Sequence, residues 1–400
     1  MSWEIFKLRE VATVIDSLHQ TPKYSKTGIP MVRVTDVKGG YLSLDNTYKV
    51  SKDVFFEFSK NHKPQKGDII ITRVGTYGLS SFVNTNLDFC LGQNTAVIVP
   101  EINNKFLYYV MTSNIVTNQI EALITGSSYK SISLGHIRNL NISTPPLKTQ
   151  KRIADILSAY DDLIENNLKR IKLLEQAAQN IYKEWFVNMR FPGYEEAKFD
   201  SETGLPEGWE IKELNSLIEL LGGFAFKSKS YIDGGKYKVI TIKNVGDRVF
   251  ETSSVNHIDF IPPKLKKHCI IKEGDILLSL TGNVGRTCIA FGQNNLLNQR
   301  VAIIKPIKGH WRSYVYWLFT QRGIISMMNN LATGSAQQNL SPVKLVKEDV
   351  LVPPASIIEA YCEIAENHLN QIILLNKLNL RLKQARDILL PRLMNQTIEV

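Results

Sequence analysis

Seven short loops in this chain concentrate side chains that recognise flat, hydrogen-bonding surfaces. They are TRVGTY from Thr72, GQNT from Gly92 and GSSYKS from Gly126, then KSKSY from Lys227, TGNVGR from Thr281, NQR from Asn298 and GSAQQN from Gly334. Arg, Asn and Gln offer paired hydrogen-bonding groups in one plane, which suits a base edge, while Lys and hydroxyl groups reach phosphate oxygens. The candidates in the first three loops are Arg73, Thr76, Tyr77, Gln93, Asn94, Ser127, Ser128, Tyr129 and Lys130. Those of the second set, with one further lysine, are Lys227, Lys229, Lys243, Thr281, Asn283, Arg286, Gln299, Arg300, Ser335, Gln337 and Gln338. Polar loops on a globular domain are also commonly just solvated, so no single residue among them carries the reading.

Two of these loops close the same phrase, GDIIITRVGTYG from Gly67 and GDILLSLTGNVG from Gly274. Each is an apolar run, residues 69–74 and 276–280, ended by Gly-x-x-Gly, which reads as a strand and its hairpin turn. A phosphate-cradling loop is the rival, but the third glycine of a dinucleotide fingerprint and the Lys-Ser/Thr that closes a P-loop are both missing. Other catalytic signatures are missing too. The double prolines read TPPL, IPPK and VPPA rather than the Asn/Asp-Pro-Pro-Tyr/Phe of amino-methyltransferases. Pro-Asp does not occur, so Glu210 and Lys212 of WEIK are an orphan fragment of a nuclease-like pattern and belong to a strand. His-Glu-x-x-His and Gly-x-Ser-x-Gly are absent. The residues therefore predict a binding protein with no catalytic residues, no bound cofactor and no metal. The pair His268 and Cys269 reads as a solvated turn rather than as ligands.

A chain of 400 residues, 44% of them apolar, has room for two or three cores. No apolar run approaches the roughly 18 residues of a membrane span, and the N-terminal MSWEIFKLRE is charged where a signal peptide is apolar. The expectation is a cytoplasmic protein without a membrane partner. Cys90, Cys269, Cys288 and Cys362 have no Cys-x-x-Cys spacing and make no disulfide framework. The net charge of +10 points to a polyanionic partner. Its distribution is more telling: Lys and Arg outnumber Asp and Glu by 15 to 11 in residues 1–146 and by 20 to 16 in residues 193–354. The segments carrying the polar loops thus hold most of the surplus.

The elements that must position these loops come from an internal repeat. SWEIFKL at Ser2 answers GWEIKEL at Gly208, MVRVTDV at Met31 answers VITIKNV at Val239, and LGQNTAVIVP at Leu91 answers LNQRVAIIKP at Leu297. TGSS at Thr125 answers TGSA at Thr333, and Pro145 with Pro146 answers Pro353 with Pro354, all at offsets of 206 to 208. Copies this long each own a core, so this is a duplicated domain rather than a solenoid. After each double proline the apolar period lengthens. Ile153, Leu157, Tyr160, Ile164, Asn167, Ile171, Leu174, Ala178, Ile181 and Trp185 step by four and three, a coiled-coil seam. Tyr361, Ala365, His368, Ile372, Leu375, Asn379, Leu382, Arg386, Leu389 and Leu393 repeat it. Antiparallel pairing predicts Ile153 opposite Leu393, Trp185 opposite Tyr361, and Asn167 opposite Asn379 as a polar register pin. The apolar stripe, which also holds Ile156, Leu163, Leu378 and Leu390, is too wide for two helices. Either the flanking domains fold back on it or partner helices cover it, and the sequence favours partner docking at these four residues.

TPPLKTQKRIADIL entering a heptad helix, then NIYKEWFVNMRFPG, LPEGWEIKEL and the terminal RDILLPRLMNQTIEV resemble the specificity subunit of type I restriction-modification systems over essentially the whole chain. The resemblance implies a mixed α/β (α+β) protein with a pseudo-twofold repeat: two globular target-recognition domains separated by two long antiparallel coiled-coil helices. On that scheme residues 1–146 and 193–354 are target-recognition domains, and 147–192 and 355–400 are helical spacers. It further implies a non-catalytic subunit that reads a bipartite, asymmetric double-stranded DNA target and docks two methylation subunits. Restriction subunits complete the complex, and S-adenosylmethionine and ATP with magnesium sit on partners. The family's terminal motif usually has a glycine where this chain has Gln396, which bears on how the last helix ends. The rival is a two-headed coiled-coil adaptor that binds proteins and no nucleic acid.

Overall fold

A computed structural model describes residues 3–124, 131–334 and 338–400. The chain forms two compact units: residues 1–166 with 379–400, and residues 167–378. Each contains a sheet-rich portion and part of each of two long helices.

In the first unit, the apolar phrase after Gly67 becomes strand β6 of a four-stranded sheet. Its strands are β2 (Ala12–Asp16), β9 (Thr95–Pro100), β6 (Ile69–Thr72) and β7 (Ser80–Phe82), in that order and antiparallel throughout. Strand alternation sends Ile69 and Ile71 into a core with Phe106 and the first long helix, and Ile70 into a second core with Val32 and Phe89. That second core supports another sheet, ordered β3 (Tyr24–Ser25), β5 (Tyr48–Val50), β4 (Ile29–Val32) and β8 (Cys90–Leu91). There β4 and β8 run parallel. A two-stranded ribbon, β1 (Glu4–Lys7) with β10 (Asn141–Thr144), completes the unit's strands.

The second unit repeats the plan, as the offsets of 206 to 208 predict. Its sheets are β12 (Ile218–Gly222), β19 (Val301–Pro306), β16 (Ile276–Ser279), β17 (Thr287–Ile289), and β14 (Asn256–Ile258), β13 (Tyr237–Ile240), β18 (Asn295–Leu297), β15 (Ile270–Ile271). The parallel pair is β13 with β18. Its ribbon is β11 (Glu210–Glu213) with β20 (Asp349–Val352), which puts the WEIK fragment in a strand.

The two hairpins turn on glycines in left-handed backbone. Gly78 (φ 79°) and Gly285 (φ 81°) are the second glycines of their phrases, and a β-carbon there would crowd Ile120 at 3.0 Å and Met328 at 3.1 Å. Glycine therefore permits both the turn and its contact with the helices Asn114–Ile124 and Arg322–Leu331.

The long helices are Leu147–Tyr182, continued by a π-helical turn Lys183–Val187, and Ala355–Met394. All twenty seam residues are buried or half-buried. Antiparallel pairing brings opposite ends of the two helices together within each unit: Ile153 and Leu393 belong to one core, and the Trp185 and Tyr361 rings meet at 5.9 Å. Asn167 and Asn379 are 7% and 5% exposed. Two details lie outside the heptad reading. Pro391 sits within the second helix, where it removes one backbone donor. Gln396, at φ 61°, follows its end.

The wide stripe is covered in part by the chain's own sheet-bearing portions. Ile156 and Leu390 pack against the core of the first unit, whereas Leu163 and Leu378 remain 51% and 40% exposed. The expected docking surface is correspondingly narrower than four equivalent residues. No described helix is long and apolar enough to cross a membrane.

Candidate nucleic-acid interface

Among the described residues the topology brings TRVGTY and GQNT together in the first unit, and TGNVGR and NQR together in the second. In the first unit, parallel β4 and β8 finish side by side, and the Gly92 amide donates to the Val32 carbonyl at 2.8 Å. The chain then turns through Gln93 and Asn94 into β9. Asn94 takes left-handed backbone (φ 64°), which asparagine tolerates, and its carbonyl accepts from the Arg73 amide at 2.8 Å. The Arg73 carbonyl accepts from the Ile132 amide at 2.9 Å, which draws in the chain following residue 130. The TRVGTY, GQNT and 131–133 segments are thereby stitched by main-chain bonds, independent of their side chains.

The second unit builds the same scaffold. Asn298 donates to the Ile240 carbonyl at 3.0 Å, Leu280 to Arg300 at 3.0 Å, and Leu340 to Leu280 at 2.8 Å. A groove results, lined by Leu280, Thr281, Gln299, Arg300 and Asn339. The turn Ile242–Asn244, which carries Lys243, lies beside Gly282.

On this scaffold the candidates separate by environment. Lys227, Lys229, Lys243, Asn283, Arg286, Gln299, Arg300 and Gln338 are exposed in the second unit, and Thr76 in the first. Tyr77, Gln93 and Asn94 are half-buried. Asn283, with its amide oxygen turned to Arg286, accepts from both terminal guanidinium nitrogens at 3.2 and 3.3 Å. Arg73 and Thr281 are also bonded to other residues of the fold. Arg73 donates from Nη1 to both Asp16 carboxylate oxygens at 2.6 Å and from Nε to the Ile132 carbonyl at 3.3 Å. Thr281 is buried and donates its hydroxyl to Asn339 Oδ1 at 3.1 Å. Ser127, Ser128, Tyr129, Lys130, Ser335 and Gln337 lie outside the described residues.

Arg33 and Asp36 were not among the sequence candidates, yet the parallel strands bring Arg33 against Gly92, the first residue of the GQNT loop. The signal was present in the repeat: MVRVTDV against VITIKNV differs in charge at these two positions. Of the groups read for other chemistry, Cys269 is buried and His268 Nε2 lies 2.9 Å from the Gly222 carbonyl. Among the described residues no cluster of His, Cys, Asp and Glu could hold a metal ion.

A surface assembled from Arg, Lys, Asn and Gln on a fixed main-chain frame can bind a polyanion and read its edges. Comparison with known proteins agrees. The family described as type I restriction modification DNA specificity domain matches twice, over residues 1–176 and 206–384. The chain is 22% identical to the type I restriction enzyme MjaIX specificity subunit of Methanocaldococcus jannaschii, covering 98% of this chain and 92% of that protein. It is 24% identical to the HindI specificity subunit of Haemophilus influenzae, covering 84% and 87%. Among solved structures, a type I restriction-modification S subunit from M. genitalium shares the fold at a TM-score of 0.55 with 15% identity, covering 98% and 96%.

Proposed function

Because this chain belongs to the type I restriction modification DNA specificity family, we propose that its two loop scaffolds read the two halves of a bipartite, asymmetric duplex target. The chain is a type I specificity subunit: it binds DNA, works in assembly with other subunits and is itself non-catalytic. We assign target recognition to residues 1–146 and 193–354, and spacing and docking to 147–192 and 355–400. One observation carries the two-reader reading: the same main-chain frame of loops is built twice, and the side chains set on it differ. Two identical readers would call for two similar surfaces, whereas Thr76 and Tyr77 in one unit answer Asn283 and Val284 in the other.

In this reading, lysines such as Lys227 and Lys229 neutralise phosphates, and Arg286, Arg300 and Gln338 contact base edges. Two methylation subunits dock on the exposed apolar part of the long helices, at Leu163 and Leu378 and the half-buried Ile156 and Leu390. Restriction subunits join the complete assembly in the cytoplasm, and S-adenosylmethionine and ATP with magnesium are held by partner subunits. The test is selection from a pool of randomised duplexes by this chain assembled with its methylation subunits. The expected product is one motif of two unlike half-sites at fixed separation. A pool without enrichment would sink the reading.

A further inference from the structure

Arg33 is held as a base-reading group is held. It follows β4 directly and begins the turn Val34–Asp36, whose first bond runs from the Arg33 amide to Asp36 Oδ2 at 2.9 Å. The same carboxylate then accepts from Arg33 Nε at 3.1 Å and, through Oδ1, from Nη2 at 3.2 Å. The guanidinium carbon lies 3.7 Å from the centre of the Tyr48 ring, so the plane is stacked as well as hydrogen-bonded. Tyr48 is itself braced by Tyr24, ring to ring at 4.7 Å. A guanidinium has five donors in a fixed fork. Two are committed to Asp36, and the Tyr48 hydroxyl also lies near enough to interact with the guanidinium, while the edge formed by Nη1 and the outer Nη2 donor makes no further hydrogen bond among the described residues. Arg33 keeps 29% of its side-chain surface open. Hydrogen bonding to Asp36 raises its pKa above the ordinary value, so the charge persists at any working pH.

A structural ion pair needs neither the stacking ring nor a free end-on edge. An end-on pair of donors, fixed in plane and direction, fits the O6 and N7 acceptors of guanine in a major groove. The second unit supplies an internal control. Its turn Ile242–Asn244 has the same geometry, but Thr241 replaces Arg33 and Asn244 replaces Asp36, and Thr241 Oγ1 donates to Asn244 Oδ1 at 3.0 Å. The turn stands without the charges, so the fold does not require them.

We propose that Arg33, oriented by Asp36 and stacked on Tyr48, reads one guanine in the half-site of the first unit, and that the second unit has no such reader at the matching place. This rests on the DNA-reading function above. The test begins with the site selected by the wild-type complex. Each guanine is replaced in turn by 7-deazaguanine, which lacks the N7 acceptor. Affinity is then measured for the wild type, Arg33→Lys, Arg33→Ala and Asp36→Asn. One guanine, in one half-site only, is expected to lose about tenfold in wild-type affinity when replaced, and to lose nothing further in either Arg33 variant. Asp36→Asn should fall between them. If every replacement cost Arg33→Lys what it costs the wild type, the inference would be overturned, as it would by a wild type indifferent to every replacement. Arg33→Lys keeps the charge, and the wild-type profile needs no variant, so misfolding of Arg33→Ala leaves both outcomes readable. A wild type that selects no motif would instead refute DNA reading itself.

Discussion

Gln396 stands where left-handed backbone ends the last helix, at φ 61°, with its amide directed to the Leu393 carbonyl at 3.4 Å and Ile398 bonded to Arg392 at 3.1 Å. A β-carbon in that conformation costs roughly 1–2 kcal/mol, which glycine avoids, though glycine has more unfolded-chain entropy to lose. Gln396→Gly is therefore expected to raise stability by about 0.5–1 kcal/mol, read as a higher urea midpoint at unchanged slope. The hairpin glycines give the opposite sign. Gly285→Ala adds both the left-handed strain and a contact on Met328, so a loss of at least about 1–2 kcal/mol is expected in the same measurement. The cysteines give a chemical counterpart. All four are buried, and burial pushes the Cys90 thiol up to about 12 and raises that of Cys288. Thiolate is the reactive form, so at pH 7.5 the native protein should resist alkylation that the urea-unfolded chain undergoes at all four positions.

Within the first unit the two long helices are joined to each other, and to the short helix Asn104–Thr112, by a charge that the heptad pattern presents as an anomaly. Arg386 occupies a seam position and pairs with Asp161, which is 4% exposed and also accepts from the Tyr109 hydroxyl at 2.6 Å. Removing the cation alone would leave a buried carboxylate with one donor. Arg386→Met is expected to cost about 3 kcal/mol, at the lower end for a broken buried pair because Arg386 keeps some solvent contact. Arg386→Met with Asp161→Leu should recover much of that loss, and a double variant no more stable than the single would contradict the assignment. The seam itself was legible, because a period of three and four survives any surroundings. So were the twin hairpins and the duplication. The Tyr109 bond that anchors this ion pair was not, since Tyr109 and Asp161 lie 52 positions apart with no local pattern linking them. The same holds at the interface: polar loops were visible as composition, but the strand that sets Arg33 beside Gly92, and the Asp16 carboxylate that engages Arg73, are facts of topology.

At the scale of the whole chain, duplication with divergent loops separates two properties that a single reader would mix. Positive charge is spread over both sheet-bearing segments, 15 against 11 in residues 1–146 and 20 against 16 in residues 193–354, so both should contribute phosphate contacts. Affinity of the assembled complex for its site should fall by roughly 10³ or more between 50 and 200 mM salt if six or more phosphates are neutralised, because bound cations are released on association. A protein-binding adaptor would show little such dependence. Specificity should divide where affinity does not. Each loop frame is closed by main-chain bonds within its own unit, so the side chains on one frame can change without rebuilding the other. Exchanging residues 193–354 for the matching segment of a relative is accordingly expected to replace one half-site of the selected motif, keep the other base for base, and leave the salt slope nearly unchanged. Both half-sites changing together would mean that the two frames do not read independently.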